Sequence, residues 1–269
     1  MNILEQIVEH KKIEVAEHKK TTPVSDLKEY DFFEAECDSL KGSLLFKDAT
    51  GIIAEFKRKS PSKGIINNTA EIFDVLDAYD MKGASGISIL TDEKYFGGTI
   101  DDIYDHRLGL TTPVLRKDFI IDEYQIVESK AIGADAILLI AACLTPKEVK
   151  GLAGFAKSLG LEVLLELHDE NEVEHICDET ELIGINNRNL KTFEVNIEHS
   201  LKMAEKIPPD KIKIAESGIN SVDDIVLFKE NGFKGFLIGE LFMKEADPAI
   251  AFAEFVNALK LMPPKAEGF

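Results

Sequence analysis

Residues 52–66 read Ile-Ile-Ala-Glu-Phe-Lys-Arg-Lys-Ser-Pro-Ser-Lys-Gly-Ile-Ile, an apolar strand that runs into charges and then into a loop. Side chains alternate between the two faces of a strand, so Ile53, Glu55 and Lys57 lie on one face. A face that is apolar at its start and charged at its carboxyl end is typical of a strand that runs from a core into an active site. A solvated edge strand is the alternative, because edges commonly carry charges.

The pattern of an apolar strand followed by an amphipathic helix occurs eight times along the chain. Strands are predicted at 52–57, 86–90, 114–117, 136–141, 162–167, 182–186, 211–215 and 235–238. Helical patterns between them lie at 71–81, 123–132, 147–159, 171–177, 197–206 and 222–230, and a last helix opens at Asp247-Pro248. Thr145-Pro146 is a helix start signal, and Gly133 lies where a helix stop is expected. Eight such units form either a closed barrel or a long doubly wound sheet.

Two features of the sequence favour the barrel. No Gly-x-Gly-x-x-Gly follows the first strand, and Gly51 precedes it instead. Polar or charged residues also end the first, third, fifth, sixth and seventh strands, and a closed ring brings these ends together, whereas an open sheet spreads them across its width. The predicted fold is therefore an α/β fold, a (β/α)8 TIM barrel, as a single domain over residues 1–269 with the barrel proper at about 50–260.

Residues 1–48 precede the first strand and form a predicted N-terminal helical extension. Ile3, Ile7 and Ile13 give an amphipathic helix, and Thr21-Thr22-Pro23 ends it. The extension either plugs the bottom of the barrel or folds over its top and helps to close the site. We favour the arrangement over the top.

Composition and charge restrict the class of protein. The 269 residues are 45% hydrophobic and 30% charged, which is ordinary for a soluble globular chain, and the longest apolar run, 136–144, is too short to span a bilayer. The net charge of −18 argues against nucleic acid as a partner. Three widely spaced cysteines predict neither disulfides nor a metal site, and the amino terminus shows no secretory signal, so a cytoplasmic location is expected.

The stretch Glu55-Phe56-Lys57-Arg58-Lys59-Ser60-Pro61-Ser62 resembles the signature of the indole-3-glycerol phosphate synthase family, whose members close the indole ring in tryptophan biosynthesis. Further motifs occur in the family's order over nearly the whole chain: Leu115-Arg116-Lys117-Asp118-Phe119, Leu164-Leu165-Glu166, Gly184-Ile185-Asn186-Asn187-Arg188-Asn189-Leu190, Ala215-Glu216-Ser217-Gly218-Ile219 and Leu237-Ile238-Gly239-Glu240. The resemblance implies a lyase that converts 1-(2-carboxyphenylamino)-1-deoxyribulose 5-phosphate to indole-3-glycerol phosphate by ring closure, decarboxylation and dehydration. It implies no metal and no cofactor, because the arylamine itself supplies the electrons.

The resemblance also implies catalytic roles. Lys117 matches the general acid for ring closure, and Glu166 matches the carboxylate of the dehydration. The residues that match substrate-orienting and proton-transfer positions are Glu55, Lys57, Asn186, Glu216 and Ser217. How the roles divide among Glu55, Lys57 and Glu166 stays open. Burial and crowding by Lys57 would both lower the pKa of Lys117 toward a useful value.

Substrate-binding candidates lie at the same strand ends. The phosphate candidates are Ser60 after the first strand, Ser217 and Gly218 after the seventh, and Gly239 and Glu240 after the eighth. Backbone N–H groups of the last two loops commonly bind phosphate in barrels. Arg188 could pair with a substrate carboxylate or with the phosphate, and Phe96 could line the anthranilate pocket or simply pack. His168 is interpreted as a rim residue, because no partner carboxylate is apparent for it.

Rival functions are less consistent with these residues. The isomerase that acts one step earlier in the pathway is expected to carry a cysteine on the first strand, where this chain has Glu55 and Lys57. A Schiff-base aldolase needs an inward lysine on the sixth strand, where this chain has Asn186. A non-catalytic binding protein could lose Lys117 and Glu166, and both are present. The expected partner is a small phosphosugar substrate, with no nucleic acid and no membrane, and the chain is expected to be a monomer that can associate with other tryptophan-pathway enzymes.

Overall fold

The computed structural model describes residues 2–188 and 194–262, so the end of one motif, Asn189 and Leu190, lies outside the described residues. In chain order the strands are β1 (Ile52–Phe56), β2 (Lys59–Ser60), β3 (Gly64–Ile65), β4 (Gly86–Leu90), β5 (Val114–Lys117), β6 (Ala136–Ile140), β7 (Glu162–Leu167), β8 (Leu182–Asn186), β9 (Ile212–Glu216) and β10 (Phe233–Ile238). All but β2 and β3 form a closed parallel barrel in which β1 pairs with both β4 and β10. β2 and β3 form a small antiparallel hairpin in the loop after β1. The predicted (β/α)8 barrel is confirmed.

The α-helices of the described ranges are α1 (Ile3–Thr21), α2 (Val24–Leu27), α3 (Leu40–Leu45), α4 (Ile72–Lys82), α5 (Glu93–Phe96), α6 (Asp101–Tyr104), α7 (Glu123–Ala131), α8 (Pro146–Ser158), α9 (Ile197–Ala204), α10 (Val222–Glu230), α11 (Glu240–Met243) and α12 (Pro248–Leu261). Thr145 and Glu148 form a capping box at the start of α8. The helix predicted at 171–177 is instead a short 3-10 helix, Glu170–His175, and the ring of its last residue contacts the carbonyl of Leu144 at 2.9 Å. None of the helices in the described ranges is long and apolar enough to cross a membrane.

Alternate strand residues fill the inside of the barrel. Ile53, Leu115, Leu164, Ile214 and Leu237 belong to one buried cluster, while their neighbours along the strands point outward into a second cluster beneath the helices. This burial of both faces is what a parallel barrel requires. The next inward positions of β1, β5, β7 and β9 carry charged side chains, so the interior changes from apolar to polar at the carboxyl end.

The N-terminal extension covers both ends of the barrel. α1 lies over the carboxyl end, where Ile3 and Ile7 reach a cavity. α3 lies at the amino end, where Leu40 and Leu44 join the interior cluster, and a Cβ on Gly86 at the start of β4 would lie 2.5 Å from Leu40 Cδ1. The favoured arrangement over the top is therefore right for α1, and the alternative of a plug at the bottom is right for α3.

A buried ion cluster fastens α1 to the barrel. Lys11 is fully buried, and its Nζ lies 3.1 Å from Asp92 Oδ2, 3.0 Å from Asp118 Oδ1 and 2.6 Å from Glu14 Oε1. Asp92 and Asp118 follow β4 and β5, so the cluster ties the helix to the carboxyl end of the barrel. Burial opposes the charge of Lys11, but the carboxylates outweigh burial and raise the pKa of Lys11 above its usual range.

Candidate active site

A cavity of about 320 Å³ opens at the carboxyl end of the barrel beneath α1. The candidate residues that the sequence places at the strand ends all line it: Glu55, Lys57, Ser60, Phe96, Lys117, Glu166, Asn186, Arg188, Glu216, Ser217, Gly218, Gly239 and Glu240. The arrangement follows from the topology, because the carboxyl ends of parallel barrel strands and their loops meet on one face. The contacts of these residues divide the cavity into a charged centre, an apolar wall and a polar rim.

Lys117 lies at the centre of the cavity between two carboxylates. Its Nζ is 3.1 Å from Glu166 Oε2 and 3.0 Å from Glu216 Oε2. The three residues come from β5, β7 and β9, each at an inward position near the carboxyl end of its strand. Their side chains are 12%, 5% and 1% exposed respectively, so their charges interact in surroundings that screen them weakly.

The pKa of Lys117 differs in direction from the expectation. Burial opposes its charge, but three carboxylates outweigh burial and raise the pKa of Lys117 above its usual range. They belong to Glu166, Glu216 and Glu55. Lys57, the residue expected to crowd Lys117, donates to Glu55 Oε1 at 2.5 Å. The expectation of a lowered pKa is therefore wrong, because acidic side chains on the surrounding strands outnumber the one other lysine.

The two carboxyl groups beside Lys117 differ in their affinity for a proton. Burial raises the pKa of Glu216 to about 8; Lys117 opposes this effect, and the like charge of Glu166 adds to it. Burial also acts to raise the pKa of Glu166, but Lys117 and His168 outweigh it and hold that pKa well below its ordinary value. Of the two carboxyl groups, Glu216 therefore holds a proton more readily than Glu166.

Two glycines make room for the buried carboxyl groups. A Cβ on Gly184 of β8 would lie 2.0 Å from Glu216 Oε1 and 3.1 Å from its Cδ, so no larger residue fits without moving that side chain. A Cβ on Gly239 would lie 2.6 Å from Glu55 Oε1. Carboxyl groups on β1 and β9 thus find space in an otherwise close-packed barrel because a neighbouring strand or loop has no side chain there.

Asn186 and Arg188 extend the polar network along β8 to the rim. Asn186 Nδ2 donates to Glu166 Oε1 at 3.0 Å, and its Oδ1 accepts from the backbone N–H of Arg188 at 3.0 Å. The Arg188 guanidinium lies 3.2 Å from Ser62 Oγ and 3.4 Å from Glu240 Oε2. Arg188 therefore bridges the loop after β1 and the start of α11.

The loop after β9 holds two successive residues in the left-handed region. Ser217 and Gly218 have φ values of 64° and 70°, and Asn187 Nδ2 donates to the Ser217 carbonyl at 2.6 Å. A left-handed conformation costs a serine about 1 to 2 kcal/mol, and such strain is concentrated at functional sites. Both residues line the cavity.

Basic side chains gather around Glu240 at the rim. Lys63 Nζ lies 3.5 Å from Glu240 Oε1, and Arg188 Nη2 lies 3.4 Å from Glu240 Oε2. Ser60, in the β2–β3 hairpin, also lines the cavity. Lys244 also lines the cavity, and the sequence analysis did not predict it. Residues four apart on a helical turn lie on the same face, so its spacing from Glu240 could have indicated it.

One wall of the cavity is apolar. Phe96 of α5 and Phe119 after β5 pack with their ring centroids 6.0 Å apart, and Leu138 and Ile140 of β6 continue the surface. Phe119 is a second residue that the sequence reasoning did not select, although it lies two positions after Lys117 in the same motif. An aromatic ligand can stack on such a wall or contact it edge-on.

His168 is not the isolated rim residue that the sequence suggested. Its Nε2 lies 2.8 Å from Glu166 Oε1, and its side chain is 8% exposed. The expectation that it has no partner carboxylate is therefore wrong. Residues two apart in an extended segment share a face, so its spacing from Glu166 was the signal.

The fold has relatives among solved structures. A mutant tryptophan synthase alpha-subunit from Pyrococcus furiosus matches with a TM-score of 0.60 at 15% sequence identity, over 79% of this chain and 98% of that chain. At this identity the likeness concerns the fold alone. Fold and cavity together define the class of protein: a (β/α)8-barrel enzyme with acid–base groups at the carboxyl ends of its strands.

Sequence comparison narrows this class to one family. The family model described as indole-3-glycerol phosphate synthase matches residues 4–255, and the chain belongs to that family. A relative with this name from Bacteroides thetaiotaomicron is 44% identical over 259 residues, which are 96% of this chain and 99% of the relative. A second, from Burkholderia vietnamiensis, is 43% identical over 94% of this chain and 98% of its own length.

Proposed function

We propose that the cavity closes an indole ring with Lys117 as the general acid. The activity of the family is a carboxy-lyase step of tryptophan biosynthesis, and this chain accordingly converts 1-(2-carboxyphenylamino)-1-deoxyribulose 5-phosphate to indole-3-glycerol phosphate. The observation that carries the assignment of the site is the ammonium group of Lys117, within 3.1 Å of both Glu166 and Glu216 at the centre of the cavity.

Ring closure begins when the ring carbon that bears the carboxylate attacks the ketone of the sugar. The ketone oxygen gains negative charge and needs a proton donor. Lys117 enters this step as an ammonium group, because its neighbouring carboxylates keep it protonated. Weak screening strengthens its attraction to the developing oxyanion, so electrostatic stabilisation comes first and proton transfer completes the step.

Carbon dioxide then leaves, and loss of a hydroxyl group completes the indole. This dehydration needs one group that accepts a proton and another that protonates the leaving hydroxyl. We assign the base to Glu166, because its pKa lies well below the ordinary value and it is ionised at neutral pH. We assign protonation of the hydroxyl to the pair formed by Glu55 of β1 and Lys57 directly after it, whose charged atoms are 2.5 Å apart.

The remaining residues of the centre and wall orient the substrate. The anthranilate ring lies against Phe96 and Phe119, which supply the apolar surface. Glu216 is assigned to a substrate oxygen, because its raised pKa favours a proton that can be donated to such an oxygen. Asn186 and Ser217 complete this set at the ends of β8 and β9.

The phosphate group is assigned to the rim. The loops that hold it carry Ser60, Ser217, Gly218, Gly239 and Glu240, and their backbone N–H groups are the expected donors. Arg188 and Lys63 pair with Glu240 at 3.4 and 3.5 Å. A phosphate dianion carries more charge than a carboxylate and draws both cations toward it. We therefore assign Arg188 to the phosphate rather than to the carboxylate of the substrate.

Further properties are proposed from the resemblance and the composition. The chain is one barrel domain over residues 1–269, with 1–48 as its extension. It acts as a cytoplasmic monomer without nucleic acid, which its net charge of −18 would repel, and it can associate with other enzymes of the pathway. Sedimentation of the purified chain, alone and mixed with such an enzyme, tests the oligomeric state.

Glu166→Gln tests the catalytic assignment, with product formation followed by indole fluorescence. We expect kcat to fall by about two to four orders of magnitude and KM to change little, because the lost interaction acts mainly in the transition state. Glu162→Gln, at the opposite end of the same strand, is the control and should keep the parent kcat. A raised KM with unchanged kcat for Glu166→Gln would make Glu166 a binding residue and contradict the assignment.

A further inference from the structure

We infer that His168 is a positioning residue for Glu166: it holds the carboxylate in the orientation that proton transfer needs, without touching the substrate. The inference rests on the proposed catalytic role of Glu166. Glu166 lines the cavity, whereas His168 stands behind it, immediately after the end of β7.

Both carboxylate oxygens of Glu166 are held by neighbours. Oε2 faces Lys117 Nζ at 3.1 Å, and Oε1 lies 2.8 Å from His168 Nε2 and 3.0 Å from Asn186 Nδ2. A substrate oxygen that binds Lys117 competes for its ammonium protons, so the contacts to Oε1 must hold the carboxylate during the reaction. Asn186 is a neutral hydrogen-bond donor, whereas protonated His168 forms a close ion pair with the carboxylate, and opposite charges attract strongly where screening is weak.

His168 is itself fixed by the chain that follows β7. Its backbone N–H donates to Glu172 Oε2 at 2.6 Å, and its Nδ1 lies 3.8 Å from the same oxygen. Its carbonyl lies 3.3 Å from His199 Nε2 of α9. The imidazole is buried between these elements and has little freedom to rotate, which is what a positioning residue requires.

The charges around His168 favour its protonated form. Burial lowers the pKa of His168, but Glu166 and Glu172 outweigh burial and raise it to about 9. The Cys143 thiol, which lies in the field of both carboxylates, stays neutral because burial raises its pKa to about 12. The ring is therefore an imidazolium at neutral pH, and its positive charge lies beside the Glu166 carboxylate.

Two substitutions of His168 distinguish the effect of its N–H donor from the effect of its side-chain volume. His168→Gln keeps an N–H group at about the reach of Nε2, and His168→Leu removes the donor but keeps a large side chain. We expect kcat of the leucine variant to fall about tenfold to hundredfold, by analogy with the loss when the outer partner that orients a metal ligand is removed, with KM nearly unchanged. The glutamine variant should recover most of this loss.

The pH dependence of kcat gives a readout that a merely structural role would not move. Without the imidazolium the pKa of Glu166 rises. In His168→Leu the acidic limb of the pH profile of kcat, where kcat falls as Glu166 is protonated, therefore moves to higher pH. The glutamine variant, with a neutral donor, should lie between the leucine variant and the parent. His175→Leu is the control, because His175 is buried on the following 3-10 helix and bonds to the carbonyl of Leu144. Its loss should lower the thermal midpoint without moving the acidic limb.

Comparison with Glu166→Gln separates this inference from the proposed function. If Glu166→Gln is inactive but His168→Leu keeps the parent kcat and acidic limb, His168 is not a positioning residue and the proposed function stands. If Glu166→Gln keeps the parent kcat, the proposed role of Glu166 fails and the inference fails with it. If the leucine variant does not fold, the glutamine variant decides: an acidic limb at the parent position overturns the inference. In the Glu166→Gln background, either substitution of His168 should cost no further kcat.

Discussion

Lys117→Met removes the ammonium group from the centre of the cavity and leaves a side chain of similar volume. If Lys117 stabilises the developing oxyanion and donates its proton, kcat falls by about two to four orders of magnitude, the usual contribution of general acid catalysis. At about 1.36 kcal/mol for each factor of ten, the loss is roughly 3 to 5 kcal/mol of transition-state stabilisation.

The same substitution should lower stability in a pH-dependent way. Lys117 Nζ lies within 3.1 Å of Glu166 and Glu216, and loss of one partner of a buried ion pair costs up to about 3 to 5 kcal/mol while the other stays charged. In the variant the folded pKa of Glu216, already raised by burial, should lie further above the unfolded value of about 4.3, and Glu166 loses one of the two cations that lower its pKa. A group whose pKa is raised by folding stabilises the protein below its unfolded pKa, and this contribution is lost as pH rises. The variant should therefore come closest to the parent at acidic pH and fall furthest below it under alkaline conditions.

Single-turnover mixing with fluorescence detection measures the chemical step, and thermal unfolding at acidic, neutral and mildly alkaline pH measures stability. Lys19→Met is the matched control, because Lys19 pairs with Asp122 at 2.7 Å with its side chain 45% exposed. Exposed pairs contribute little, so its kcat and thermal midpoint should stay at the parent values. A Lys117→Met enzyme that turns over normally while its midpoint falls would refute the reasoning, because Lys117 would then be structural.

Two further substitutions test the rim and the extension. Gly218→Val should raise KM about tenfold, because position 218 has a φ of 70° and a new Cβ would lie 2.2 Å from Val195 Cγ1. Gly109→Val is its control, since a Cβ there would meet no heavy atom within 4 Å in the described chain beyond its own chain neighbours and local helix backbone; an unchanged KM for Gly218→Val counts against the phosphate site. Lys11→Met should lower the free energy of unfolding in urea by about 3 to 5 kcal/mol, because Asp92 and Asp118 stay buried without it. Lys12→Met, whose side chain is 58% exposed, should lower it by less than about 1 kcal/mol, and equal effects of the two substitutions would show that the buried cluster does not fasten α1.

Most of the barrel could be predicted because its elements are set by local periodicity. The strands β4, β5, β7 and β8 have the predicted bounds, and the inward positions of β5, β7 and β8 carry the expected polar residues. The β2–β3 hairpin and the 3-10 helix Glu170–His175 could not be predicted correctly, because neither is long enough to show a period.

The residues of the site could be predicted more reliably than their charge states. Alternation along β5 places Lys117 inward whatever the other strands do. The direction of its pKa shift depends instead on distances to Glu166 and Glu216, which are set by the packing of different strands. The path of the N-terminal extension over the barrel could not be predicted for the same reason. It depends on contacts between residues far apart in sequence, such as that of Lys41 with Glu181 at 2.7 Å.

The order of synthesis separates α1 from the residues that fasten it. Lys11 leaves the ribosome long before Asp92 and Asp118, so the helix is made while its binding site does not yet exist. β1 must likewise wait for β10, the strand that closes the barrel beside it. Docking of α1 and pairing of β1 both need segments that are synthesised later. We therefore expect α1 to pack over the cavity late in the folding of the nascent chain. Activity should appear only after the final strand has left the exit tunnel.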